Sequence, residues 1–138
     1  MRARGGAAAR LLAPVLLAAV AGCFSDRPDG GMGPTDGEAV VVQMNANLTF
    51  EPAVASIRTG QTVVWRNASS FVHTSTADPA RANDPAHVRL PEGAATWNSG
   101  DVPAGGEFRK TFDVAGEYAY FCIPHETQGM LGQVIVEN

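Results

Sequence analysis

The sequence has few of the residues that hold small exported proteins together or that bind nucleic acid. Among 138 residues there are only two cysteines, Cys23 and Cys122, so at most one disulfide is available. The sequence has 10 basic and 14 acidic side chains, and this excess of acidic residues argues against a nucleic-acid-binding surface. There is no internal repeat, and no segment after residue 22 has sustained helical periodicity. A helical or repeat architecture is therefore excluded.

A long hydrophobic run is also missing. The apolar segment Leu11–Val20 is interrupted by Pro14, and a bilayer-spanning helix needs about 20 apolar residues. A basic region precedes it, formed by Arg2, Arg4 and Arg10. Residues 1–22 therefore predict a cleaved export signal and not a stable membrane span.

The end of this segment indicates how the mature chain is held. The run Leu17–Gly22 is followed at once by Cys23 and resembles the lipobox of bacterial lipoproteins. The resemblance implies cleavage before Cys23 and lipid on both its sulfur and its new amino terminus, which would anchor the chain stably to a membrane. The predicted location is the cell envelope, on the periplasmic or outer face. An ordinary secretory signal, cleaved near Ala21 with Cys23 incidental, is the alternative.

Composition then divides the mature chain. Residues 24–38 are rich in Gly, Pro and Asp and predict a flexible tether after Cys23. A domain is predicted over residues 39–138. Without residues 1–22 the chain has 7 basic and 14 acidic side chains, a formal charge of −7. This charge favours a basic partner surface, although a solvated acidic surface without a partner is the alternative.

The domain reads as short β-rich segments separated by turn residues. Seven such segments in about 100 residues predict an all-β fold, an antiparallel β-sandwich of about seven to eight strands. The segments cover residues 40–44, 54–57, 62–66, 71–76, 108–112, 117–122 and 133–136. Residues 77–106 are predicted to be mostly loop, with one short strand around Trp97.

A metal-ligating pattern lies near the C-terminus. Cys122, His125 and Met130 follow one another as Cys-x2-His-x4-Met, and His73 lies far upstream at the end of a predicted strand. Two His, one Cys and a weak axial Met are the ligands of a blue copper site, which predicts one copper ion cycling between Cu(II) and Cu(I). Ligation would also explain a lone reduced Cys122, whereas a disulfide with Cys23 would tie the tether to the domain.

The same region resembles a known family. The segments Phe50–Pro52, Gly60–Asn67, Val72–Thr74 and Phe108–Val136 are similar to cupredoxins of the plastocyanin, pseudoazurin and halocyanin type. The resemblance implies a Greek-key sandwich and a one-electron carrier, expected to be a monomer that meets redox proteins as donor and acceptor.

Residue roles follow from the resemblance. It implies His73, Cys122, His125 and Met130 as copper ligands and Thr74 as a hydrogen-bonding neighbour of the Cys loop. Electrons are expected to leave through His125, within a patch of small or apolar neighbours. Those neighbours are Ile123, Pro124, Leu131 and Gly132.

Other functions compete with this prediction. Structural zinc sites prefer four strong ligands and do not recruit Met. A Cys–His nucleophile would need an orienting residue for its base, and none is visible, so no enzyme activity is predicted. A copper-handling protein without electron transfer and a plain β-sandwich interaction module remain open. His87, in an Asp/Pro-rich loop, is not paired with a ligand loop as His73 is and is predicted to be exposed, and Trp65 and Trp97 are predicted to pack in the core.

Overall fold

Nine β-strands build two sheets in the computed structural model, which describes residues 37–138. The first sheet has the strand order β2-β1-β4-β7 and the second has the order β3-β9-β8-β5-β6. The strands are β1 (Val40–Met44), β2 (Phe50–Glu51), β3 (Val54–Arg58), β4 (Thr62–Asn67), β5 (Thr76–Ala77), β6 (Trp97–Asn98), β7 (Glu107–Thr111), β8 (Gly116–Phe121) and β9 (Leu131–Glu137).

The predicted all-β fold is confirmed, with two differences of detail. There are nine strands because β2 was not predicted, since a two-residue segment is too short to show an alternating pattern. The sheets are mixed, since β1 runs parallel to β4 and β3 runs parallel to β9. The chain passes through β3 in the second sheet between β1 and β4, and a crossover of this kind permits parallel pairing where a hairpin does not.

The predicted strand at 71–76 is shorter than expected. Only Thr76 and Ala77 lie in a strand, while His73 makes an isolated bridge with Val102. The Asn67 side-chain amide explains the break, because it donates to the carbonyls of Phe71 (2.6 Å) and Val102 (2.9 Å). The Phe71 carbonyl is thus satisfied without a neighbouring strand, the Val102 carbonyl also accepts the N–H of His73, and Phe71 itself is exposed.

An aromatic core fills the space between the sheets. The fully buried ring of Trp65 packs against Tyr120 with centroids 5.3 Å apart and against Phe108 at 5.7 Å. Such pairs contribute about 0.5–1.5 kcal/mol each beyond the area they bury. Trp97 is also buried, as predicted, and its indole Nε1 donates to Ser75 Oγ.

Three short 3₁₀ turns complete the described domain, at Pro79–Arg81, Pro85–His87 and Ile123–Gln128. The first two are capped by Asp78 and Asp84, whose side chains accept backbone N–H hydrogen bonds. The signal segment, Cys23 and the tether up to residue 36 lie outside the described residues. Residues 37–138 contain no helix with the length and hydropathy of a membrane span.

Candidate metal centre

The ligand loop begins where β8 ends. Cys122 follows the strand directly and precedes the 3₁₀ turn at Ile123–Gln128. Its backbone N–H donates to the carbonyl of Met130 (3.1 Å), which closes the loop at its base. Gly129 ends the turn with a φ of 86°, a left-handed conformation that suits glycine. The loop therefore returns Met130 to the level of Cys122 before β9 begins.

His73 reaches the same place from a distant part of the chain. Cys122 Sγ lies 3.6 Å from His73 Nδ1 and 3.4 Å from His125 Nδ1. One ligand atom from each of these three residues lies within 4.8 Å of the other two. The sulfur and both imidazole nitrogens thus converge on one point, while Met130 is completely buried beside them in the same loop.

Burial controls the charge of these side chains. It lowers the pKa of His73, and the neighbouring His125 lowers it further, while the nearby Asn45 carbonyl opposes the shift. Burial also raises the pKa of the Cys122 thiol, against the hydrogen bonds from Thr74 that favour the thiolate. Both shifts favour the neutral forms of His73 and Cys122, so binding a cation there releases the thiol proton.

Thr74 connects the two ligand-bearing segments. Its backbone N–H donates to Cys122 Sγ at 3.3 Å, and its side-chain Oγ1 accepts the backbone N–H of Ile123 at 2.8 Å. Thr74, which follows the predicted ligand His73, thereby contacts both the thiol and the start of the ligand loop, and its own side chain is buried.

Comparison with known proteins identifies this arrangement. Residues 38–137 match the family described as copper binding proteins, plastocyanin/azurin family. The chain belongs to this family. Its copper site is the cluster just described, since His73, Cys122, His125 and Met130 are positioned as in a type 1 copper site.

Plastocyanins and a halocyanin are among its relatives. A plastocyanin of Scenedesmus fuscus is 35% identical over 105 residues, covering 71% of this chain and 99% of that protein. A chloroplastic plastocyanin of Tetradesmus obliquus is 41% identical over 91 residues, and the alignment covers 65% of this chain and 59% of that protein. A halocyanin of Natronomonas pharaonis is 34% identical, with 79% of this chain and 63% of that protein covered.

Solved cupredoxin structures share the fold. An amicyanin variant in the Cu(I) form superposes with a TM-score of 0.57 at 28% identity, covering 74% of this chain and 84% of that one. A pseudoazurin from Sinorhizobium gives a TM-score of 0.57 at 27% identity, covering 72% of this chain and 74% of that one.

The donor set of this cupredoxin fits copper on structural grounds as well. The two Nδ1 atoms face one thiol, and the remaining nitrogen of His73, Nε2, is buried without a well-formed hydrogen bond. A thiolate and two neutral imidazoles suit both Cu(I) and Cu(II), whereas structural zinc sites favour four strong ligands. The prediction of copper is confirmed, since the family that the chain matches is one of copper binding proteins.

The predicted exit patch is only partly present at the surface. His125 is half-buried, Pro124 is exposed and Leu131 is 37% exposed. Gly132 does not line the patch, because it is buried against the Tyr120 ring. His125 is the one residue of the four-residue ligand set that is not fully buried.

Sequence reasoning missed a second layer of this cupredoxin site. Glu126, next to His125, is buried and accepts hydrogen bonds from Asn83, Asp84 and His87. His87 is half-buried and not exposed as predicted, because its Nδ1 lies 2.9 Å from Glu126 Oε1. The Asp84-Pro85 pair signals a capped turn, but no local pattern shows that this turn packs against residues about 40 positions away.

Proposed function

We propose that this protein is a membrane-tethered one-electron carrier with a single type 1 copper site. The observation that carries the proposal is the convergence of Cys122 Sγ with the Nδ1 atoms of His73 and His125 in the buried interior. When bound, copper supplies a Cu(II)/Cu(I) couple to these ligands. A rigid ligand set favours fast exchange because little rearrangement accompanies the change of oxidation state.

The proposed ligands divide into buried and accessible ones. His73, Cys122 and Met130 are buried, so they hold the metal away from water. Half-buried His125, with exposed Pro124 and Leu131 nearby in the chain, is the proposed path for electrons to and from redox partners. No substrate chemistry is assigned, and the protein is proposed to act as a monomeric carrier and not as an enzyme.

Spectroscopy of the full-length protein, expressed with its own leader and purified in detergent, tests the copper site. After loading with Cu(II), we expect an intense blue thiolate band and narrow copper hyperfine splitting, both lost on mild reduction. Cys122→Ala is expected to abolish the band, because it removes the thiolate. A pale, ordinary Cu(II) spectrum from the wild-type protein would contradict the proposal and favour copper handling without electron transfer.

Electron exchange tests the proposed path. His125→Ala, or a charge at the patch in Leu131→Glu, is expected to slow exchange with a redox partner. Thr111→Glu, a change at an exposed position of β7 outside the patch, is the control. Unchanged rates in Leu131→Glu, with an intact blue band, would refute exit through this surface.

The proposed anchor is tested separately. Cys23 follows a lipobox-like sequence, and lipid on this residue would hold the domain at the cell envelope. We expect the wild-type protein in the membrane fraction and Cys23→Ala in the soluble fraction of the exported proteins. If Cys23→Ala partitions like the wild type, the anchor is wrong while the copper site stands.

A further inference from the structure

Glu126 is a buried carboxylate in the middle of the ligand loop. It follows His125 directly and lies within the 3₁₀ turn Ile123–Gln128, yet its side chain is 0% exposed. Carboxylates are almost never fully buried unless they are paired, so this one needs a specific set of partners.

Four donors from one short segment surround it. Oε2 accepts the backbone N–H of Asn83 (2.7 Å) and its side-chain Nδ2 (2.9 Å). Oε1 accepts the backbone N–H of Asp84 (3.0 Å) and lies 2.9 Å from His87 Nδ1. Both carboxylate oxygens are therefore fully used, and all of the partners belong to residues 83–87.

These contacts hold the turn at a second point, separate from its contact with Thr74. The hydrogen bond from Ile123 N–H to Thr74 Oγ1 fixes the beginning of the turn, and the Glu126 contacts fix its middle. His125 lies between the two attachments. Its position is thus determined by contacts from two separate segments as well as by the backbone of the loop.

We propose that Glu126 is a positioning residue, which locks the His125 turn onto residues 83–87 so that the ligand geometry stays the same in both copper oxidation states. This inference rests on the proposed electron-carrier function. We name the contacts of Glu126 with Asn83, Asp84 and His87 the carboxylate clamp. Without the clamp, the turn gains freedom, so copper leaves faster and each change of oxidation state moves the ligands further.

Variants of the clamp can keep the fold intact. Glu126→Gln preserves shape, but its amide N–H₂ faces two of the four donors, so half of the contacts are lost. Asn83→Ala and His87→Ala remove single donors from partners that are exposed or half-buried, and they leave the carboxylate in place. Glu117→Gln is the matched control, because Glu117 is an exposed carboxylate of β8 that pairs with Arg89.

The test compares these full-length proteins in detergent. The measurements are transfer of copper to a chelator, the electron self-exchange rate, and amide hydrogen exchange of residues 123–128 in the metal-free protein. Glu126→Gln is expected to change each by about 10-fold or more, as is typical of partners that orient metal ligands. Asn83→Ala and His87→Ala are expected to give smaller changes in the same direction, and Glu117→Gln to match the wild type.

Two outcomes would overturn the inference. If Glu126→Gln lowers overall stability but leaves copper transfer, self-exchange and the paramagnetic resonance spectrum unchanged, the clamp serves folding alone. If residues 123–128 exchange equally slowly in Glu126→Gln and wild type, the clamp does not hold the turn. Failure of the electron-carrier proposal would show differently, as a wild-type protein that forms no blue site while its hydrogen exchange still reports the clamp.

Discussion

At the scale of single residues, Thr74 has two separable functions. Its backbone N–H contacts the Cys122 sulfur and cannot be removed by a side-chain change, whereas its hydroxyl oxygen supports the ligand loop through Ile123. Hydrogen bonds to a ligating sulfur and its neighbours tune the properties of a metal site. The two contributions can therefore be measured independently in one position.

Thr74→Val keeps the shape of the side chain and the backbone contact to sulfur. It removes the acceptor for both the Ile123 N–H and the Thr76 hydroxyl, which is expected to cost about 1–3 kcal/mol of unfolding free energy. The blue band should persist, because Cys122, His73 and His125 are untouched. Urea unfolding and the visible spectrum measure both effects, and Thr62→Val, which alters an exposed hydroxyl pair, is the control. Loss of the blue band in Thr74→Val would assign the hydroxyl a larger role.

The lowered pKa of Glu126 predicts that the free energy of unfolding depends on pH. Burial raises the pKa of its carboxyl, but the hydrogen bonds from residues 83–87 outweigh burial and bring it from the ordinary 4.5 to about 2. A carboxyl with a depressed folded-state pKa stabilises the fold above its unfolded pKa, and this stability is lost as pH falls from about 4.5 towards 2. The difference corresponds to about 3 kcal/mol.

Urea unfolding of the metal-free protein between pH 7 and pH 3 measures this effect. The wild-type free energy of unfolding should fall more steeply with acidification than that of Glu126→Gln, which has no carboxyl to protonate. Exposed Glu117→Gln should follow the wild-type curve. Parallel curves for Glu126→Gln and wild type would show that the carboxyl is not selectively stabilised in the folded state.

Residues differ in how well the sequence predicts them. Cys122, His125 and Met130 stand within nine positions, so their spacing alone indicates a metal site. Glu126 gives no such signal, since its partners come from residues 83–87 and a carboxylate in a loop is usually solvated. Long-range hydrogen bonds between irregular segments have no periodicity that a sequence could display.

At the scale of elements, β8 and β9 form the support of the ligand loop. They pair over their whole length, from Gly116 with Val136 to Phe121 with Leu131. The pair puts Tyr120 opposite Gly132, and the tyrosine ring lies directly on the glycine. A small residue is therefore required at the point where the loop rejoins the sheet.

Gly132→Ala should destabilise this junction. An added Cβ would lie 2.4 Å from Tyr120 Cζ and 2.5 Å from its hydroxyl, and the ring is fully buried and cannot swing away. Overpacking of this kind typically costs about 1–3 kcal/mol. Thermal unfolding measures the effect, and Gln133→Ala, an exposed change at the next position of β9, should have little influence. Equal melting temperatures for the two variants would contradict the close contact.

Elements were also predictable to different degrees. The strands β1, β4, β7, β8 and β9 carry clear β-rich patterns and appear within a residue or two of their predicted bounds. The segment 71–76 has the same character, but the Asn67 side chain takes over the carbonyls that a strand would pair. Parallel pairing of β1 with β4 depends on the chain path between the sheets, which local patterns do not contain.

At the scale of the whole molecule, the described domain has two distinct ends. The chain enters β1 at Val40, and β1 ends at Met44, one residue before the Asn45 carbonyl that lies near His73. Five strand residues span roughly 15 Å. Val40, where the described chain enters its first strand, thus lies at the end of β1 away from the copper ligands.

The acidic charge of the whole molecule predicts how salt affects electron exchange. Residues 39–138 have 10 acidic and 6 basic side chains, a formal charge of −4, so the domain attracts cationic reagents and repels anionic ones at low ionic strength. Raising the ionic strength from about 10 mM to 100 mM shortens the screening length from about 30 Å to about 10 Å. Reduction by a cationic metal complex should therefore slow, and reduction by an anionic complex of similar potential should accelerate.

Stopped-flow bleaching of the blue band measures both rates on one protein. The two rates are expected to change in opposite directions as ionic strength rises, because electrostatic steering acts on the encounter of the two molecules and not on the electron-transfer step. If the rate of reduction by the cationic reagent does not depend on ionic strength, the negative charges lie away from the His125 surface. The acidic residues would then not attract a basic redox partner to the His125 surface, and their effect would be limited to keeping the domain solvated.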